Sequence, residues 1–442
     1  MKKLLILAYD FPPYVSVGGL RPYNWLKYLK EFDVEPIVIT RQWGNEYGNA
    51  LDYIAPSKSK ETLIEKLDSG IVIRAPYLPS LSNRLLLKHG ESKLRFFRKS
   101  LTAFDEIRQF LWISGPKKQL YIAARKYLKE NKVDAIIATG EPFVLFYYAK
   151  KLSQEFDIPW IADYRDPWSQ NKGRQRNKLY TLWNRYLEQK VVAKASCLIT
   201  VSEFIKFKLK DLFSDQTIHI LPNGYDPEVI DEVAVLPQTT QVLTISFIGT
   251  VYKWHPWRSF LEQFSMFLEH HLSTEMRLHL YGINLAEDVA TFIQQLPKKT
   301  QESVKIFPKM PNRDLLEKLS HENVMLLFND YSIVGTKIYD YLGLKRKIIL
   351  CYANDKKALS LKEKFYSIEE MEGMSKQLQA DLLQQTQAGV IVENESHLQE
   401  VFQELVEEFN KNGKIACHSF GVENYSRKIQ VKKLAEIVKS ES

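Results

Sequence analysis

Short apolar runs alternate with stretches at helical spacing along this chain, and the alternation occurs twice. Leu4–Ala8 is a compact apolar run bounded by a loop rich in proline and glycine, Phe11 to Gly19. Trp25, Leu26, Leu29 and Phe32 then fall on one helical face, and Val34–Thr40 returns to continuous apolar character. That order is a βαβ unit, whose parallel crossover implies a sheet covered on both faces. Further strands are expected at Gly70–Ala75, Asp134–Thr139, Trp160–Asp163, Cys197–Val201 and Ile218–Leu221, with helices between most of them. The region between Thr40 and Gly70 reads as irregular. Beyond Asp226 the pattern weakens as far as Gln241, which reads as an interdomain linker.

A second series follows, with strands expected at Leu243–Ile248, Leu278–Tyr281, Val304–Phe307, Val324–Phe328, Lys347–Cys351 and Gly389–Val392. The fold class is therefore α/β, with two doubly wound Rossmann-like domains facing a central cleft. The expected division is 1–226, 242–415 and a C-terminal segment 416–442. A helix over Tyr425–Lys439 in that segment offers Ile429, Leu434, Ile437 and Val438 for burial, possibly against the N-terminal domain. Open α/β sheets bind ligands at the carboxyl ends of their strands, so candidate chemistry is sought there.

Composition narrows the classes. Among 442 residues, 45% are hydrophobic and 26% charged, ordinary globular values that exclude disorder as the general state. The three cysteines, Cys197, Cys351 and Cys417, stand far apart, which excludes a disulfide framework or a thiolate zinc cage and fits a reducing cytoplasm. The apolar start stops at Tyr9-Asp10, too short for a signal sequence, and reads as a buried first strand. No stretch approaches the roughly 20 apolar residues that span a bilayer. The expected location is cytoplasmic, or peripheral on the inner face of the cell membrane.

The net charge of +8 favours anionic partners. No nucleic-acid-binding signature accompanies it, so nucleic acid is not expected as a partner. Part of the surplus lies in Arg84, Lys88, Lys93, Arg95, Arg98 and Lys99, set against Glu91 alone and interleaved with leucines and phenylalanines. Such a segment either lies on an anionic membrane surface or forms an exposed helix pair that packs its leucines inward. Gly90 interrupts its helical pattern.

Four passages resemble the family 4 glycosyltransferases with the GT-B fold. The first is Phe11-Pro12-Pro13 through Gly18-Gly19 with Arg21. The second is Ala162-Asp163-Tyr164-Arg165-Asp166-Pro167-Trp168. The third joins Thr200-Val201-Ser202-Glu203 to Leu221-Pro222-Asn223-Gly224-Tyr225-Asp226. The fourth runs from Phe247-Ile248-Gly249-Thr250 to Lys337-Ile338-Tyr339-Asp340-Tyr341-Leu342-Gly343. The resemblance covers nearly the whole length. It implies transfer of a sugar from a nucleotide-diphosphate-sugar donor to a saccharide or lipid-linked acceptor, with retained configuration and no essential metal, as in bacterial cell-surface polysaccharide synthesis. The donor would be held by the C-terminal domain. The absence of an Asp-x-Asp pair agrees, and no cofactor is expected. Two other classes share the two-domain shape: a GT-B-like sugar-nucleotide epimerase, and a non-catalytic partner in a polysaccharide assembly complex.

Without a cation, the leaving diphosphate needs backbone N–H groups, helix N-termini and basic side chains. Gly18 and Gly19 either admit a phosphate to the first helix start or serve a turn. Gly335, Thr336 and Lys337 precede a second candidate helix start. Asp340 matches the family glutamate that binds the ribose hydroxyls. Eight residues earlier the family has another glutamate, but Ser332 stands here, with Asp330 close by. Gly249 and Thr250 end the first strand of the second domain. Lys253, and less directly His255 or Arg258, are basic candidates for the diphosphate. Tyr281 and Gly282 either border the nucleobase or belong to core and turn.

The catalytic candidates are Glu141, Asp163, Arg165 and Asp166. Glu141 stands where many relatives place a histidine; it either serves the acceptor hydroxyl or is a helix-start carboxylate. Asp163, Arg165 and Asp166 form either an acceptor-side cluster or an internal salt-bridge network. No metal-ligand spacing is present among the nine histidines.

Overall fold

The computed structural model describes residues 1–14, 16–44, 51–170, 178–272, 275–366 and 373–442. Val15 of the first glycine-rich loop lies outside the described residues. The chain divides into two compact units, Met1–Pro222 with Gln430–Ser442, and Asn223–Ile429.

The first unit is built on β1 (Lys2–Leu7), β2 (Val34–Arg41), β3 (Leu63–Leu67), β4 (Gly70–Ala75), β5 (Ala135–Gly140), β6 (Trp160–Tyr164), β7 (Cys197–Thr200) and β8 (Ile218–Ile220), in the order β3-β4-β2-β1-β5-β6-β7-β8. Leu4, Leu5, Ile6 and Leu7 are fully buried, as a strand covered on both faces requires. All neighbours pair in parallel except β3, which runs antiparallel to β4 along the sheet edge. That edge strand falls in the stretch expected to be irregular. Its Leu63, Ile64 and Leu67 are exposed, so no pattern of alternating burial marks it.

The second unit has β9 (Leu243–Ile248), β10 (Met276–Tyr281), β11 (Val304–Phe307), β12 (Val324–Phe328), β13 (Lys347–Cys351) and β14 (Gly389–Val392), all parallel, in the order β11-β10-β9-β12-β13-β14. Each expected strand of this series lies within two residues of its observed place. The doubly wound reading holds in both units.

Two expectations are corrected. The stretch before Gln241 is not merely a linker. Asp226 caps a helix, Pro227–Val233, by accepting the Glu228 N–H at 3.2 Å, and Ile230 and Val233 enter the second unit's core. The helix spans two turns only, too short for its apolar period to show. The final helix is Arg427–Glu441, and Tyr425 belongs to a preceding 3-10 turn, Val422–Tyr425. Val431, Leu434, Ala435, Ile437 and Val438 pack with Leu4, Ile6 and Ile199 of the first unit, while Ile429 is half-buried.

The basic segment forms two helices, Leu81–His89 and Arg95–Leu111, separated at Gly90, whose φ of 77° suits glycine. The second helix buries none of its residues fully, although Phe110 packs on Trp168 with ring centres 5.3 Å apart. Phe96 is 88% exposed, and Phe97, Phe104, Ile107 and Leu111 lie exposed at helical spacing. Among the described residues no helix is long and apolar enough to cross a membrane.

Candidate active site

In the first unit, the carboxyl ends of β1, β5 and β6 gather one set of groups. Ser16 caps the helix Val17–Tyr28: its hydroxyl accepts the Gly19 N–H at 3.0 Å and donates to Asp10 Oδ2 at 2.9 Å. Gly19 is thereby corrected, because its N–H serves the cap instead of a phosphate. Gly18 is small for a different reason. A Cβ there would run into the Arg165 guanidinium and approach Asp10 Oδ2 to 2.9 Å. Arg165 donates from Nε to the Gly140 carbonyl at 2.6 Å and from Nη2 to the Glu141 carbonyl at 3.0 Å. It therefore fixes the loop that carries the half-buried Glu141 side chain. Asp166 remains exposed at the end of β6.

Asp163 is placed as a packing anchor. It is fully buried and accepts from Arg21 Nε at 3.0 and 3.2 Å and from Nη2 at 2.8 Å. Arg21 Nη1 completes the arrangement at the Leu221 carbonyl, 2.8 Å away. This fork-to-carboxylate pair ties the first helix to β6 and to the end of β8. The expected network of Asp163, Arg165 and Asp166 is therefore not the one formed: the carboxylate of Asp163 pairs with Arg21, while Arg165 binds the carbonyls of Gly140 and Glu141.

Asp10 was not among the expected site residues. Burial pushes its carboxyl up from the ordinary value, against the Ser16 hydrogen bond and the Arg165 charge. Its Oδ1 is buried and has no hydrogen-bond partner among the described residues. An aspartate directly after a buried strand was the available signal.

In the second unit, the ends of β9 and β12 and the start of the helix Lys337–Leu344 form the other set. Gly249 has φ of 78°, and a Cβ there would meet nothing within 4 Å, so the strand end is open to a close approach. Lys337 Nζ donates to the Thr250 carbonyl at 3.2 Å and sits 4.3 Å from the centre of the Phe247 ring. Burial lowers its pKa to about 8, opposed by Asp330. Thr336 precedes the helix without capping it through its side chain, and the space around Gly335 is open. Asp340 follows Lys337 by one helical turn and is half-buried. Burial raises its pKa to about 6, against the pull of Arg427 and with reinforcement from Asp226.

Asp330 accepts from Trp254 Nε1 at 3.0 Å and lies 3.0 Å from His255 Nε2. The Tyr252 N–H points to His255 Nδ1 at 3.2 Å, so Nδ1 is the acceptor and Nε2 carries the proton. Burial holds His255 in this neutral form. Burial alone would raise Asp330, but the His255 and Trp254 hydrogen bonds and the nearby Lys337 charge hold it below its ordinary value. Asp330 is thus an ionised group spent on positioning the loop after β9. Ser332 is fully buried and accepts from Lys362 Nζ at 2.8 Å. The carboxylate of the resembled family is therefore replaced by a buried lysine–hydroxyl contact.

Lys253 is exposed on the wall of a cavity of about 860 Å³, together with Trp257, Arg258 and Tyr352, and Lys337 is not among the residues that line it. Tyr281 is corrected from a nucleobase contact to a core residue: it is 4% exposed, stacks on Phe307 with ring centres 4.7 Å apart, and donates to Glu322 at 2.8 Å. Gly282 supplies the following turn, with φ of 59°, and a Cβ there would press on Lys309 at 3.1 Å. The structure therefore joins Gly249, Thr250, Lys337 and Asp340, and leaves Lys253 and Tyr281 out.

Residues 21–229 match the family model described as "Glycosyltransferase Family 4". No curated protein matches the chain. Among solved structures, sucrose-phosphate synthase from Thermosynechococcus elongatus is 12% identical, with a TM-score of 0.57 and coverage of 100% of this chain and 99% of that one. The E. coli trehalose-6-phosphate structure bound with UDP-2-fluoro glucose is 10% identical, with a TM-score of 0.59 and coverage of 99% and 96%. The lipopolysaccharide outer core galactosyltransferase WaaB is 13% identical, with a TM-score of 0.51 and full coverage of both chains.

Proposed function

We propose that the chain, whose residues 21–229 match the family 4 glycosyltransferase model and whose fold is GT-B, is a glycosyltransferase of that kind and moves a sugar from a nucleotide-diphosphate donor to a saccharide or lipid-linked acceptor in cell-surface polysaccharide synthesis. The proposed reaction retains the anomeric configuration and uses no metal ion. The observation that carries the reading is the joined set of Gly249, Thr250, Lys337 and Asp340 at the strand ends of the second unit. Gly249 leaves room for phosphate against the backbone. The first N–H groups of the helix Lys337–Leu344 and the Lys337 ammonium offset charge as the bond from the sugar to the diphosphate breaks. Asp340 accepts hydrogen bonds from the ribose hydroxyls. The departing phosphate oxygen takes the proton of the attacking acceptor hydroxyl on the same face, so no strong enzymic base is required. A similarly folded protein holds a UDP-sugar analogue, which makes uridine the first nucleobase to try.

The test is thermal unfolding with uridine, guanosine and adenosine diphosphates. One of them at about 100 times its Kd raises Tm by several degrees. That rise shrinks as pH climbs through about 8, where Lys337 loses its proton, and Lys337→Arg keeps it at high pH. No shift with any nucleotide rejects the reading.

The exposed phenylalanines and the six basic residues of the helix pair and its connecting turn support peripheral attachment to an anionic membrane, where each Lys or Arg near the surface contributes about 1 kcal/mol. The protein is expected to sediment with phosphatidylglycerol vesicles and not with phosphatidylcholine vesicles. Phe97→Ser with Phe104→Ser is expected to release it. Equal binding to both vesicles, or binding untouched by the double substitution, removes the membrane from the picture.

A further inference from the structure

Away from both sets of site residues, the geometry points to a zinc-type divalent cation site formed by Cys197, His219 and Glu441, which pins the end of the last helix to the edge of the first sheet. Their ligand atoms (one thiol sulfur, one ring nitrogen and one carboxylate oxygen) lie within 4.8 Å of one another.

The convergence follows from the topology. Ile199 of β7 pairs with His219 of β8, so the two share a face, and Cys197 shares it by strand alternation. That face is covered by the helix Arg427–Glu441, whose Val431, Leu434 and Val438 pack with Cys197 and Ile199. The helix's last residue is Glu441, which reaches the same spot. None of the three side chains makes a hydrogen bond or ion pair to another described residue.

The donor set selects the ion. A thiolate, an imidazole and a carboxylate suit zinc and cobalt, not magnesium or calcium, whose preference is for oxygen alone. With metal–ligand distances of about 2.0–2.3 Å and tetrahedral angles, neighbouring ligand atoms lie about 3.3–3.6 Å apart. Closing from the observed spread therefore needs side-chain rotation of about 1 Å. Ionised Cys197 and Glu441 balance the dication, and a water fills the fourth position. The absence of a CxxC pattern excludes a thiolate cage but not this mixed set, whose members come from three separate elements. The role is to clamp the helix, so sugar transfer is not expected to pass through the ion.

Zinc content of the full chain purified without chelator tests this directly. Near-stoichiometric zinc is expected, and Cys197→Ser or His219→Gln is expected to remove it, while Cys417→Ser keeps it. Cobalt added to the metal-stripped chain should give a thiolate-to-cobalt charge-transfer band and raise Tm by about 4–8 °C. If Cys197→Ser fails to fold, His219→Gln carries the comparison. Absence of zinc together with absence of the cobalt band overturns the site, as does zinc that survives both substitutions. Neither result touches the nucleotide test above, since that readout depends on the second unit.

Discussion

Asp340→Ala lowers kcat/KM for the nucleotide sugar by about tenfold or more, a loss of at least ~1.4 kcal/mol of transition-state stabilisation. A carboxylate that accepts two ribose hydroxyls makes charge-assisted hydrogen bonds, worth roughly 1.5–3 kcal/mol each to a charged partner, so the figure is conservative. Asp340→Glu restores most of the activity because the longer side chain keeps the charge. The carboxyl group's pKa of about 6 adds a pH signature: donor affinity falls as pH drops through that value and the acceptor oxygens take up a proton. Stability has the opposite sign. Between the ordinary value of 3.8 and about 6 the folded chain binds a proton that the unfolded chain does not, so this group favours folding at low pH and ceases to do so above about 6. Asp340→Asn therefore melts no lower than the parent at neutral pH while losing activity, a combination that separates function from folding. Unchanged kinetics with every accepted nucleotide sugar would reject the ribose role.

Asp163→Ala destabilises the chain by ~3–5 kcal/mol, the cost of leaving a buried guanidinium without its partner. Arg21 is 8% exposed and its fork is aimed at Asp163 and the Leu221 carbonyl, so water cannot take over the lost bonds. Denaturant unfolding read by circular dichroism would show the midpoint falling. Replacement of both residues, Arg21→Met with Asp163→Leu, is expected to recover much of the loss, because an apolar pair leaves no charge stranded. A midpoint unchanged by Asp163→Ala would mean that the pair is not as enclosed as its geometry indicates.

The two aspartates illustrate how far a sequence carries the argument. Strands such as Val324–Phe328 were legible because burial on both faces demands an unbroken apolar run. The edge strand Leu63–Leu67 was not, because its Leu63, Ile64 and Leu67 stay exposed. Asp340 could be singled out from the motif around it, and the structure places it one turn from Lys337. Asp163 lay in an equally suggestive motif, yet its partner sits 142 positions earlier, and no local spacing reveals such a pairing. The same distance effect hid the exchange at Ser332: the missing carboxylate was visible, but its replacement by contact with Lys362 was not. Asp10 carries no local signal beyond the end of an apolar run. Its relation to Ser16, Gly18 and Arg165 appears only when three strand ends come together.

The last helix imposes an order on biosynthesis. Gln430–Ser442 belongs to the first unit although the whole of Asn223–Ile429 precedes it in the chain. A ribosome thus releases β1 to β8 long before the segment that seals them. While the second unit is being translated, the nascent first unit presents an uncovered apolar strip where Val431, Leu434 and Val438 will dock. Chaperones would meet that strip first, and a chain cut short before residue 430 would display it permanently.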